Sequence, residues 1–152
     1  MARSNWPEWI RASFNKRVAA ALTGKHIYYE AQTIRQTNTQ TNYFEARFNG
    51  PNITGLSNDV VLIEAVLNIL VATTPTENMY KHEQNVGLAL AVFTDEIELF
   101  KAGQAQPDTS LGCIRLIDGA KITNYGVHNQ GVDFIMSSVE GRYRTQIKES
   151  DW

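Results

Sequence analysis

Residues 60–72, VVLIEAVLNILVA, form the longest strongly apolar stretch of the chain, and only Glu64 and Asn68 interrupt it. The stretch is rich in β-branched residues and apolar at both odd and even positions, which predicts a central strand covered on two sides. It is much longer than an average strand of about five or six residues. We therefore expect part of it to extend beyond the domain or to be buried against a neighbour. It is too short for a membrane span of about 20 residues.

The N-terminal segment predicts an amphipathic helix. Asn5 stands before Trp-Pro-Glu, which is typical of a helix start with Asn as the N-cap, and Gly24 is a typical end. The apolar residues of this segment recur at steps of three and four. They are Trp6, Trp9, Ile10, Phe14, Val18, Ala21 and Leu22. One face of the helix is expected to pack on the core.

Two predicted strands lie between this helix and the central strand. Residues 25–33 and 43–49 alternate between apolar and polar side chains, with Gly50-Pro51 ending the second. Residues 34–42 between them are dominated by Thr, Asn and Gln, which bury little apolar area. We interpret 34–42 as the mobile tip of an extended hairpin.

The C-terminal half predicts a second helix and three or four more strands. The helix enters at Thr74-Pro75 and ends near Asp95, with Met79, Val86, Ala89, Leu90 and Phe93 as its apolar stripe. Short strands follow around 97–99 and 111–117. Asp118-Gly119 is typical of a tight hairpin turn into 121–125. In the last strand, Gly141 is interpreted as a bulge that switches faces.

The predicted fold is a single α+β domain over residues 1–152. It has a mainly antiparallel sheet with two helices packed on one face, a long central strand and an extended hairpin. The chain carries 14 basic and 16 acidic residues, so its net charge of −2 gives no broad footprint for nucleic acid. Cys113 is the single cysteine, which excludes an internal disulfide and favours a reducing compartment. The N-terminus lacks signal-peptide features, so no export is expected.

Few residues suggest chemistry, and we predict no catalytic, cofactor-binding or metal site. His26, His82 and His128 are far apart and lack metal-ligand spacing. His82-Glu83 is interpreted as part of a solvated helix face. Cys113 lies in an apolar strand and is expected to be a buried hydrophobe with a raised pKa. No group of glycines forms a phosphate-binding loop.

Two charged groups remain. Asp95, Glu96 and Glu98 lie at a helix-to-strand junction, where carboxylates are ordinarily solvated. A basic group near the N-terminus could touch nucleic acid or an acidic partner, with Trp6 and Trp9 nearby. It consists of Arg3, Arg11, Lys16, Arg17 and Lys25. A plain amphipathic helix is the favoured interpretation.

The order of these elements resembles that of the tail-terminator and minor tail proteins of long-tailed bacteriophages. The stretches that carry the resemblance are WIRASFNKRVAAAL, NDVVLIEAVLNILVATT, LALAVFTDEIELF and GVDFIMSSVEGRYRTQI. The resemblance implies a virion protein of the tail or neck, assembled in the host cytoplasm as a hexameric ring. Such a ring caps the tail tube, ends its polymerisation and contacts the tail tube protein and a head-completion protein, without catalysis. DNA passes through its lumen, for which residues 95–98 or 104–108 are candidate linings.

Two other classes of function are open from the sequence. A small enzyme could form its site at a subunit interface, with His26, Tyr28, His82 and Glu83 as acid–base candidates. A host-directed binding module is the third possibility. An enzyme requires perturbed titratable groups that converge in a cleft, whereas a ring protein requires apolar surface and extended hairpins at its interfaces.

Overall fold

The computed structural model describes residues 2–29, 42–74, 79–101, 110–129 and 133–152. They form a mixed α+β fold with a six-stranded sheet and two α-helices, which confirms the predicted class. The elements are α1 Trp6–Ala21, β1 Ile27–Tyr29, β2 Asn42–Gly55, β3 Val60–Thr73, α2 Met79–Leu90, β4 Glu96–Phe100, β5 Ser110–Asn129 and β6 Asp133–Lys148, with short 3₁₀ turns at Ala2–Asn5 and Glu149–Asp151. Neither α1 nor α2 is long and apolar enough to cross a membrane.

The strands follow the order β1-β2-β3-β6-β5-β4. Strands β2–β3, β3–β6, β6–β5 and β5–β4 pair antiparallel, whereas β1 and β2 pair parallel. The prediction of a hairpin between β1 and β2 is therefore wrong, because parallel neighbours need a connection that returns to the starting end of the sheet. Residues 30–41, which include most of the predicted tip, lie outside the described residues.

Strand β3 occupies the centre of the sheet, as its sequence predicts. Its odd-numbered side chains from Val61 to Val71 belong to one buried cluster with residues of both helices. The even-numbered side chains from Val60 to Leu70 are only half-buried. The predicted cover on two sides is thus wrong over most of the strand and holds only at residues 71–73, where all three side chains are buried. Glu64 and Asn68 lie on the half-buried face, where solvent hydrates them.

Helix α1 packs through the predicted stripe. Trp6, Ile10, Phe14, Val18 and Leu22 recur every four residues and are all at most 1% exposed. This spacing places them on one face of the helix. The predicted N-cap is wrong in its detail. The residue before the helix, Asn5, has helical backbone angles and makes no side-chain cap hydrogen bond, because a 3₁₀ turn precedes the helix.

Helix α2 ends at Leu90, earlier than predicted, and buries a different face. Met79 is 54% exposed and Leu90 is 41% exposed, although both belong to the predicted stripe. His82 and Asn85 are buried instead, beside the predicted Val86 and Ala89. Polar side chains of the sheet lie beneath α2, so its inner face is partly polar.

Strand β5 runs without interruption through Asp118-Gly119, where the sequence predicts a hairpin turn. Both residues have positive φ, 61° and 73°, as in such a turn. Here they form a bulge, because three residues between Ile117 and Lys121 face a single residue of β6, Gly141. The β3–β6 register is continuous across Gly141. The bulge predicted in β6 is therefore wrong, and it lies in β5 instead.

Candidate functional site

Strand β5 extends far beyond its outer neighbour. Strand β4 pairs only with the start of β5, from Ser110 to Arg115. Residues 121–129 of β5, here called the β5 overhang, pair with β6 on one side. Among the described residues, no strand pairs with the other side of the overhang. Its outward N–H and C=O groups can therefore accept another strand.

The β5 overhang exposes large apolar side chains. Ile122 is 45% exposed and Val127 is 61% exposed, and the two lie on the same face, opposite Val139 and Ile135 of β6. The overhang contains one charged residue, Lys121, and no proline. Charges and prolines are the usual protection of an exposed edge strand. The β5 overhang is therefore the candidate interaction site.

The face of the sheet that carries the even-numbered side chains of β3 has mixed charge. Glu64 stands opposite Arg144, which in turn stands opposite Arg115 on β5. Arg115 forms a salt bridge of 3.2 Å with Glu96 at the edge of the sheet. Both partners of this bridge are at least half exposed, so it contributes little to stability. This face therefore carries charges of both signs.

A chain of hydrogen bonds, buried except at the exposed Asn124, joins α2 to the sheet. Ser137 Oγ donates to Asn124 Oδ1 at 2.6 Å, so the serine oxygen accepts from His82 Nε2–H at 2.8 Å. The other ring nitrogen of His82, Nδ1, lies 3.0 Å from Thr73 Oγ1 and accepts from that hydroxyl. Asn85 Nδ2 donates to the same Thr73 oxygen at 3.4 Å. A neutral imidazole with the proton on Nε2 satisfies every member of this chain.

The predicted solvated position of His82 is therefore wrong, since this side chain is 1% exposed. Its contact with Ser137 has the distance of a nucleophile–base pair. The serine proton, however, is donated to Asn124, and both His82 and Ser137 are buried. In this arrangement His82 does not accept the proton of Ser137, and the contacts instead hold α2 on the sheet.

Burial lowers the pKa of His82, and the nearby Glu83 carboxylate opposes this shift. A histidine with a lowered pKa stays neutral when folded but takes up a proton when unfolded below about pH 6.5. The contribution of the neutral His82 to the free energy of unfolding is thus fully present above about pH 6.5 and decreases as the pH falls below that value. We expect the wild-type free energy of unfolding to fall by at most about 1.4 kcal/mol per pH unit for this proton. Urea titrations at pH 7.5, 6.5 and 5.5 measure the slope.

The variant His82→Gln is expected to flatten this slope, whatever its effect on absolute stability. The matched control is His26→Gln, which replaces an exposed histidine and should keep the wild-type slope. Equal slopes in the two variants would contradict the role assigned to His82.

The other acid–base candidates are placed in different surroundings. His26 and Tyr28 pack edge to face at 4.7 Å beside the parallel strand pair. Glu83 lies on the exposed side of α2, whereas the ring of His82 is turned to Thr73 and Ser137. The structure therefore does not orient these four side chains into one constellation. The side chain of His128 lies outside what the structure describes.

Cys113 is exposed, so its predicted burial is wrong. Its position on β5 points it away from the helices, opposite Glu98 of β4. Partial burial raises the pKa of its thiol, and the carboxylates of Glu96 and Glu98 raise it further. Raising the pKa keeps the thiol protonated and weakens it as a nucleophile. Asp95, Glu96 and Glu98 are exposed, as expected for solvated carboxylates.

Three of the basic residues near the N-terminus pack against the protein. Arg11 donates to the carbonyl oxygen of Phe48 at 3.2 Å, and the Lys16 ammonium lies 4.0 Å from the ring centroid of Phe100. Arg17 donates to the carbonyl oxygens of Ala91 and Val92 just beyond α2, at 2.9 and 3.1 Å. These contacts agree with the interpretation of α1 as an ordinary amphipathic helix. The side chain of Arg3 is outside the described part of the chain.

Comparisons with known proteins establish the fold alone. No protein-family model matches the chain, and no curated protein matches it. A solved structure that carries no functional name superposes on it with a TM-score of 0.59. That match covers 93% of this chain and 96% of the other, at 15% sequence identity. The chain is thus similar in fold to that protein over almost its whole length.

Proposed function

We propose that this chain is a structural virion protein that forms a closed ring, hexameric in its complete form. In this proposal the ring caps the tail tube of a long-tailed bacteriophage, ends its polymerisation and joins it to the head-completion protein. The observation that carries the proposal is the β5 overhang, which offers an apolar edge to another chain. The tail assignment itself rests on the resemblance of the element order.

A ring is a natural way to protect the β5 overhang. Identical subunits that associate head to tail cover each edge with the next subunit, and the ring closes without leaving any edge exposed. Burial of the exposed Ile122 and Val127 would supply part of the driving force, at roughly 25 cal/mol per Å² of apolar surface. The outward backbone groups of the overhang would gain hydrogen-bond partners in the same contact.

The proposed mechanism is geometric. One face of the ring would match the end of the tail tube, and the other would lack the surface on which a further tube ring assembles. DNA would pass through the lumen without sequence-specific binding. Paired charges such as Arg115 with Glu96 would suit surfaces near DNA, because they offer no uncompensated cation to phosphate.

The variant Ile122→Lys/Val127→Lys is designed to disrupt the proposed contact. Both side chains are already solvent-accessible, so the lysines can reach water in the isolated subunit and the fold should persist. We expect light scattering to give a mass near six times 17.1 kDa for the wild type. The variant should give the mass of one subunit, with an unchanged circular dichroism spectrum.

The control is Leu56→Lys, which places the same charge at a 50% exposed apolar residue between β2 and β3. It should assemble like the wild type. A wild type that remains a monomer at all concentrations would contradict self-assembly into a ring. A wild-type dimer would retain an interface but exclude the ring, and negative-stain images would show whether a central lumen is present.

A further inference from the structure

The sheet has a second edge, opposite to the one that carries the β5 overhang, and β1 forms it. Phe44 N–H donates to the carbonyl oxygen of His26 at 2.9 Å. The carbonyl of one residue and the N–H of the next point in opposite directions across a strand, so the N–H of Ile27 points away from β2. Among the described strands, none lies on this outer side of β1. The chain thus presents outward backbone groups at Ile27 and along the overhang.

These two edges lie at the same level along the strands. A single row of paired residues crosses the sheet from β1 to β5. The row consists of Tyr29, Ala46, Ile69, Val139 and Ile122. A second copy of the chain that is displaced sideways, with no shift along the strands, therefore brings its β1 beside the overhang of the first copy.

The chain directions and side-chain faces of the two edges also match. Strand β5 runs opposite to β6, β6 opposite to β3, and β3 opposite to β2, whereas β1 runs along β2. Strands β5 and β1 therefore run in opposite directions and would form an antiparallel ladder, the more stable kind per residue. Ile27 and Tyr29 lie on the same face of the sheet as Ile122, because residues that stand opposite each other share a face.

We propose that the β5 overhang of one subunit pairs antiparallel with β1 of the next copy, so that the sheets of all subunits join into one sheet around the ring. This contact rests on the proposed ring and names the surface that covers the overhang. Strand β1 carries no charge and the overhang carries only Lys121, so no like charges oppose each other across the contact. Two different edges of one chain form a head-to-tail contact, and their common level lets the chain of contacts close as a ring.

The test is cross-linking of the full chain in a Cys113→Ser background, which removes the single native thiol. The variant Ile27→Cys/Ile122→Cys places one thiol on each edge. Within one subunit these thiols are four strand spacings apart, about 19 Å at about 4.8 Å per spacing, so a short bis-maleimide cannot join them. Between subunits it should join them, and denaturing gels should show a ladder in steps of 17.1 kDa up to six subunits. Light scattering before cross-linking confirms that the variant still assembles.

The matched control is Leu56→Cys/Ile122→Cys in the same background, which moves the first thiol to an exposed residue at the other end of the sheet, between β2 and β3. It should assemble but give no ladder. Ile122→Cys alone should also stay uncross-linked, because a head-to-tail contact does not bring two identical residues together. If Ile122→Cys prevents assembly, Ile27→Cys/Val127→Cys replaces it, since Val127 lies on the same face of the overhang.

The outcomes separate this contact from the ring itself. A ladder from Ile27→Cys/Ile122→Cys and none from the control supports the pairing of β1 with the overhang. An assembled hexamer that gives no ladder overturns this pairing and leaves the ring intact. Dimers from Ile122→Cys alone would show that two overhangs meet, which also overturns it. A wild type that remains a monomer overturns both proposals.

Discussion

Phe14→Ala is expected to lower the free energy of unfolding by about 3–5 kcal/mol, the usual cost of truncating a buried phenylalanine. Phe14 is fully buried on the inner face of α1. Its ring centroid lies 4.8 Å from that of Phe48 on β2 and 5.2 Å from that of Tyr143 on β6. The truncation therefore leaves a cavity where α1 meets β2 and β6. Urea denaturation followed by circular dichroism measures the loss.

The matched control is Phe100→Ala, which removes the same atoms from a half-buried site at the end of β4. We expect it to cost less, because that side chain is only partly buried in the folded protein, whereas Phe14 is fully buried. Domains of this size are stable by only about 5–15 kcal/mol. The first variant should thus lose a large share of the stability of the fold. Equal losses in the two variants would show that Phe14 is not central to the core.

Gly141→Ala is expected to destabilise the protein by about 1–3 kcal/mol through overpacking. A β-carbon at this position would lie 2.4 Å from Cδ1 of Phe93 and 3.0 Å from Cδ1 of Leu116. Phe93 is 8% exposed and is held in the segment between α2 and β4, so its ring has little room to move. The usual stabilising effect of Ala over Gly in a strand is smaller than this clash.

The design is a double-mutant cycle with Phe93→Leu, measured by urea denaturation. The smaller leucine should make space for the new methyl group, so the double variant should lose less stability than the sum of the two single variants. Gly55→Ala is the control, because nothing lies within 4 Å of a β-carbon there, and it should be neutral or slightly stabilising. Additive losses in the cycle would contradict the proposed contact.

Local sequence patterns do not predict the β5 overhang. Asp118-Gly119 carries the turn signal of a hairpin, and this reading divides β5 into two short strands, neither of which overhangs. Only the pairing with β6 keeps the strand continuous, since Ile117 and Lys121 remain opposite Arg142 and Glu140. A signal was nevertheless present, because residues 121–129 contain one charge and no proline.

The sequence pattern likewise does not identify which face of α2 is buried. Helical periodicity marks Met79 and Leu90 as readily as Val86 and Ala89, and it cannot reveal that Thr73 and Ser137 lie beneath the helix. Those hydroxyls allow His82 to be buried, because each ring nitrogen has a hydrogen-bond partner at 3.0 Å or less. The acid sensitivity predicted for His82 follows from that environment.

The sequence by itself determined the mixed α+β class, the stripe of α1 and the central position of β3. These depend on periodicity and on apolar content, which are local properties of the chain. The tertiary structure decided the parallel pairing of β1, the bulge opposite Gly141, the partly polar inner face of α2, the exposure of Cys113 and the β5 overhang, whose outer edge no described strand covers. Each of these depends on which strand or side chain becomes the neighbour, and long-range pairing sets that choice.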